Sequence, residues 1–98
     1  MLTQAMDDYL AVRRAAGFKL KTTERYLRYF IHFARARGDT HVRAASAIEW
    51  AAQARTEAER HRRYQCVLAF ARFIHAEESR HEIPPEHVFC GYRPRPTP

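Results

Sequence analysis

From the start of the chain the apolar positions fall at Leu2, Met6, Tyr9, Leu10 and Ala16. Spacings of three and four residues trace one face of a helix, so a first helix is expected over about 3–16. Gly17 closes it, since glycine takes the left-handed C-cap conformation without steric cost, and Phe18 just beyond is placed to fold back on the last turn. Leu20 joins the core. A second helix follows, in which Tyr26, Leu27, Phe30, Phe33 and Ala34 recur on one face, and Gly38 ends it. The pattern predicts a third, shorter helix over about 44–54, with Ile48, Ala51 and Ala52 as a narrow stripe and Trp50 as a large anchor. The fourth has the clearest start. Thr56 followed by Glu59 reads as a capping box, each side chain satisfying a free backbone donor of the other. Its stripe of Tyr64, Val67, Leu68, Ala71 and Ile74, widened by Phe70 and Phe73, runs to about Glu78 and marks the central helix of the fold.

All the prolines lie beyond that point, at Pro84, Pro85, Pro94, Pro96 and Pro98. None interrupts a predicted helix, and residues 79–98 read as an irregular tail or linker. There is no internal repeat and no alternation long enough for a strand. The reading is an all-α domain over residues 1–78 followed by a proline-rich tail over 79–98.

At 98 residues the chain suffices for one core. The 46% of hydrophobic residues and 12% of aromatics are spread along it as a packed globule requires. No apolar run is long enough to span a bilayer and no secretory leader is recognisable, so the expected compartment is the cytoplasm, with no membrane partner. Two cysteines, Cys66 and Cys90, cannot build the framework of a small disulfide-stapled domain.

Charge changes the picture more. The net charge is +6 and the isoelectric point about 9.9, which draws the chain to polyanions, and nearly all of the basic residues are Arg, the side chain that grips phosphate bidentately. The charge is polarised: residues 13–43 hold nine basic side chains against Glu24 and Asp39, whereas 77–90 hold Arg80 against Glu77, Glu78, Glu82 and Glu86. Two compact clusters stand out. Lys19, Lys21, Thr22, Thr23 and Arg25, with Arg28 one turn on, lie at the start of the second helix, where free N–H groups and the helix dipole also favour an anion. Arg60, His61, Arg62, Arg63 and Gln65 lie one to two turns into the fourth. The plain alternative is two solvated faces. Thr23 and Gln65 are the side chains suited to base edges.

The run Ala16-Gly17-Phe18-Lys19-Leu20, then Thr22, Tyr26, Phe30 and Phe33, resembles the first half of the core-binding, SAM-like domain of tyrosine recombinases, the phage-integrase family. Arg62-Arg63-Tyr64-Gln65-Cys66-Val67 leading to Phe70-Ala71-Arg72-Phe73-Ile74-His75-Ala76 looks like that family's last core helix. Arg80-His81-Glu82-Ile83-Pro84-Pro85 and Arg95-Pro96-Thr97-Pro98 are similar to the linker before the catalytic domain in recombinases of mobile elements. The resemblance covers nearly the whole chain through many weakly defining positions and no invariant motif. It implies a small orthogonal bundle of four to five helices that forms half of a C-shaped clamp on double-stranded DNA, the catalytic domain of the same parent closing the other half and further recombinase protomers assembling alongside. It also implies that the second and fourth helices approach the major groove, which puts Lys19, Lys21, Thr22, Thr23, Arg25, Arg28, Arg60, Arg62, Arg63 and Gln65 at the DNA. One departure is Leu68, where relatives commonly carry Arg.

The chemistry of strand cleavage, a Tyr nucleophile with Arg and His or Lys groups, belongs to that catalytic domain, so this chain is not expected to be an enzyme by itself. His61-Arg62-Arg63-Tyr64 imitates such a set, but neighbours on one helix diverge instead of converging on a phosphate. The six histidines and two cysteines lack zinc-site spacing, and Gly17, Gly38 and Gly91 stand singly, so neither a metal, a cofactor nor a small-molecule substrate is expected. Tyr26, Tyr29, Phe30 and Phe33 could stack bases of a single strand, but helical spacing makes most of them core, with Tyr29 alone off the main stripe. About five engaged phosphates would give a slope of about −4 to −5 for log affinity against log salt, with weak binding for half of a clamp. The rivals are a helix-turn-helix regulator, and a SAM-like protein-interaction bundle without nucleic acid.

Overall fold

The computed structural model describes residues 2–17 and 20–86. It contains four helices and, among the described residues, no strand: α1 (Leu2–Ala15), α2 (Lys21–Ala36), α3 (Ala44–Ala52) and α4 (Glu57–His75). α4 packs against each of the other three, as its wide apolar surface requires, and Tyr64, Val67, Leu68, Phe70, Ala71 and Ile74 on it are buried. The fold is a small helical bundle built around its last helix.

Leu2, Met6, Tyr9 and Leu10 of α1 bury as the spacing predicts, and Tyr9 meets the edges of Phe70 and Phe73 at centroid distances of 5.5 and 5.1 Å. α2 buries Leu27, Phe30, Ile31 and Ala34, with Tyr26 and Phe33 half-covered at the rim and Tyr29 exposed. In α3 the buried row differs from the expected one. Ala47, Trp50, Ala51 and, just past the helix, Ala54 face the core, while Ala52 is exposed and Ile48 only half-buried. The indole sets this rotation, because it packs edge-on against Phe30 at 5.6 Å and Tyr26 at 6.3 Å, and the row that shares its face buries with it.

The helix ends follow local chemistry. Gly38, at φ +85°, closes α2 in a Schellman arrangement: its N–H donates to the Arg35 carbonyl at 2.9 Å and that of Asp39 to the Ala34 carbonyl at 3.0 Å. Gly17 plays the same part after α1, at φ +96°; the Phe18 contact expected beside it lies outside the described residues. At the start of α4 the capping box is half realised. Thr56 Oγ1 accepts the Glu59 N–H at 3.1 Å, but the Glu59 carboxylate is engaged by side chains from elsewhere.

α4 ends at His75, a turn short of the expected Glu78. Residues 81–86 carry no helix or strand, yet they return across the bundle. His81 and Pro84 are buried; His81 Nδ1 accepts the Val42 N–H at 3.1 Å, the Glu82 N–H donates to the Val42 carbonyl at 2.9 Å, and Tyr64 donates its hydroxyl hydrogen to the Pro85 carbonyl. Glu82 Oε1 accepts the Ala44 N–H at 2.8 Å, capping α3 from a distance.

Candidate nucleic-acid interface

Two contacts bring the start of α2 beside the first half of α4. Tyr26 donates its hydroxyl hydrogen to Glu59, and the Cys66 thiol points at the Thr23 carbonyl at 3.8 Å. Burial pushes the Cys66 thiol up to about 12, so it stays protonated and serves as a packed donor rather than a nucleophile. The Tyr26 phenol is also held above its ordinary ionisation range, by burial first and then by the hydrogen bond to Glu59, while Arg62 and Arg25 oppose that shift. One phenol therefore feels a guanidinium from each basic cluster. The two clusters lie next to each other.

Within that zone the side chains divide by what they touch. Lys21, Thr22, Arg25, Arg62 and Gln65 are exposed, and neither Lys21 nor Arg25 has an acidic partner among the described residues. Arg28, also exposed, pairs with Glu24 at 2.6 Å, and Glu24 takes Arg14 of α1 on its other oxygen. Hydrogen bonds from Arg28 and then Arg14 hold the Glu24 carboxyl below the usual range. Lys21, Glu24, Arg25, Arg28 and Tyr29 together line a shallow depression on the outer side of α2. Thr23 is half-buried, and Lys19 lies outside the described residues.

Arg60 and Arg63 turn the other way. Arg60 Nε donates to the carbonyls of Ala54 at 3.0 Å and Ala52 at 3.3 Å, and Arg63 donates to the Trp50 carbonyl at 3.3 Å with its guanidinium 4.9 Å from the indole centroid. These carbonyls belong to the last turn of α3 and the residues just beyond, at the negative end of the helix dipole; the Trp50 carbonyl also accepts the Gln53 N–H at 3.2 Å. Along the chain these two arginines group with Arg62 as near neighbours. The helical angle between them sends Arg62 outward and the other two onto α3.

None of the described acidic residues after α4 pairs with Lys21, Arg25 or Arg62. Glu78 pairs with Arg80 at 3.1 Å, Glu86 with Arg72 at 3.4 Å, and Glu82 caps α3. Leu68, where the resemblance would place an Arg, is buried. Among the described residues no three His, Cys, Asp or Glu side chains gather as metal ligands, and no helix is long and apolar enough to cross a membrane.

A small helical bundle that sets Lys21 and Arg25 at the start of α2 beside Arg62 in the second turn of α4, past the acidic first turn of Glu57 and Glu59, is a form that nucleic-acid-binding modules take. The chain is similar to a Sinorhizobium fredii protein, y4rB, provisionally named an integrase/recombinase: the two are 35% identical over 94 residues, which is 94% of this chain and 30% of the relative. The resemblance drawn from the sequence agrees with the name of this relative, and the chain is similar to one segment of it. It spans about a third of the relative's length. No protein-family model and no solved structure matches it.

Proposed function

We propose that this chain is the core-binding domain of a site-specific tyrosine recombinase and binds duplex DNA across the joined beginnings of α2 and α4. The observation that carries this reading is the juxtaposition itself: Lys21 and Arg25 on one helix and Arg62 and Gln65 on the other are exposed on adjoining surfaces, in a chain similar to one segment of a protein named an integrase/recombinase. Lys21, Arg25, Arg28 and Arg62 meet phosphates, Lys19 extends the same run, and Thr22, Thr23 and Gln65 are the polar groups at hand for base or sugar contacts. Arg60 and Arg63 serve by holding the end of α3 against α4. Strand cleavage and rejoining fall to a catalytic domain of the parent, outside this chain, and such a module works at bacterial or mobile-element DNA in the cytoplasm.

The rival of helix-turn-helix type has some support in the order of elements, since the short α3 is joined to α4 by the four-residue turn 53–56. Against it, α1, α2 and α3 all pack on α4 and leave a narrow exposed row of Arg62, Gln65, Ala69 and Arg72, less than a helix inserted in the major groove presents.

Fluorescence anisotropy with a labelled duplex at several salt concentrations tests the reading. About three phosphate contacts, those of Lys21, Arg25 and Arg62, give a log–log salt slope near −2.7 on a duplex of mixed sequence. Changing Lys21, Arg25 and Arg62 together to Ala should flatten that slope and weaken binding at every sequence tried, while Arg80→Ala, which removes a charge from the end of the molecule after α4, should leave it alone. Identical curves for wild type and triple variant would favour a protein-interaction bundle instead.

A further inference from the structure

We propose that Glu24 restrains the interface, holding Arg14 and Arg28 neutralised so that the chain discriminates against DNA that does not offer phosphate at the right place. This rests on the DNA-binding reading above and concerns how that site is regulated.

Glu24 lines the depression together with Lys21, Arg25, Arg28 and Tyr29, so its carboxylate faces the same space as three basic side chains. Its two oxygens are divided between two helices: one takes Arg14 near the end of α1, the other accepts from both Nε and Nη2 of Arg28, at 3.0 and 2.6 Å. Both arginine side chains are about half exposed or more, at 48% and 60%, so phosphate can approach them. Neither is a free cation.

The salt dependence of DNA binding counts the counterions that protein cations displace. An arginine already matched by a carboxylate adds little to the field that draws a duplex in, and the carboxylate repels any phosphate entering the depression. Exchange of Glu24 for phosphate is compensated only where the phosphate meets the guanidinium in good bidentate geometry. A correctly seated site supplies that geometry. A duplex held loosely by its average charge does not, so Glu24 costs non-specific binding more than seated binding, which is how a repulsive element creates specificity.

Glu24→Gln tests this, because the amide keeps the shape of the side chain and removes its charge. Against a labelled duplex of mixed sequence, the variant should bind roughly three- to tenfold more tightly at low salt, with a salt slope steeper by about one. Glu49→Gln supplies the control, for Glu49 pairs with Arg37 at the other end of α2, at 2.7 Å, and its loss changes the net charge by the same amount. It should leave the slope unchanged. Equal gains from both variants would mean that net charge alone acts, and weaker binding by Glu24→Gln would mean that Glu24 positions its arginines for phosphate; either result overturns the proposal. Absence of salt-dependent binding by the wild type would instead remove the DNA-binding reading beneath it.

Discussion

The Tyr26 hydroxyl donates to the Glu59 carboxylate and so ties the second turn of α2 to the first turn of α4. The bond is part-buried, and the same carboxylate faces Arg62 and Arg63 at 3.9 Å each. Tyr26→Phe removes the donor and leaves the ring in place. A hydrogen bond to a charged acceptor in such a setting contributes about 1.5–3 kcal/mol at most, and partial exposure brings the expected loss to about 1–2 kcal/mol. Urea unfolding followed by Trp50 fluorescence measures it, and a loss under about 0.5 kcal/mol would show that the link does not hold the helices together.

Arg62 and Arg63 are adjacent in sequence and should separate cleanly in experiment. Arg63→Ala loses the cation–π contact with Trp50 and the bond to its carbonyl, a destabilisation of about 1–2 kcal/mol, with a change in the indole emission. Arg62→Ala should leave stability within about 0.5 kcal/mol, since its pair with Glu59 is exposed, and should weaken DNA binding. Unfolding curves and anisotropy titrations on both variants check the division.

His81 makes stability depend on pH. Its Nδ1 accepts the Val42 N–H, which requires the neutral ring with its hydrogen on Nε2. Burial first, and then the His41 ring at 4.9 Å, lower its pKa from the ordinary 6.5. As the pH falls below 6.5 the unfolded chain takes a proton that the folded chain resists, so the unfolded state binds more protons and stability drops. The contribution is full above 6.5, declines between there and the lowered folded value, and levels off beneath it, at no more than about 1.4 kcal/mol per pH unit. His81→Asn keeps an acceptor near the Val42 N–H and removes the titration. Urea midpoints between pH 7 and pH 5 should therefore fall less for this variant than for the wild type.

Where the domain ends is a matter of energy. A chain stopped after Glu78 would lose the buried His81 and Pro84, the acceptor of Tyr64 and the cap of α3. It should be less stable than a chain stopped after Glu86 by at least about 2 kcal/mol, the cost of taking the acceptors from the Val42 and Ala44 N–H groups. Calorimetry on the two lengths decides it, and equal melting temperatures would make residues 79–86 a dispensable linker.

Local chemistry made much of this fold readable. Gly17 and Gly38 stop their helices where the spacing places them, Thr56 starts α4, and the Tyr64–Ile74 stripe marks the helix that all the others cover. Periodicity failed in α3, because in a segment so rich in Ala nearly every face is apolar and only the partners of Trp50 choose among them. It also could not foresee that Glu59 would leave its capping box for Tyr26, or that residues 81–86 would return to Val42 and Ala44, since these are contacts across 33 and 38–39 positions of the chain. At the candidate interface the charge clusters were visible in the sequence. Which arginines face solvent was not, because that depends on the angle at which α4 lies on α3.

The cap that Glu82 places on α3 also bears on the order of assembly. The helix has Arg43 before its first turn, without a side-chain cap of its own, and the oxygen that serves Ala44 arrives thirty-eight residues later. During synthesis α1, α2, α3 and most of α4 all leave the ribosome before that oxygen does. The first turn of α3 therefore has only water to accept its Ala44 N–H until residue 82 has emerged, while Trp50 is already free to find Phe30.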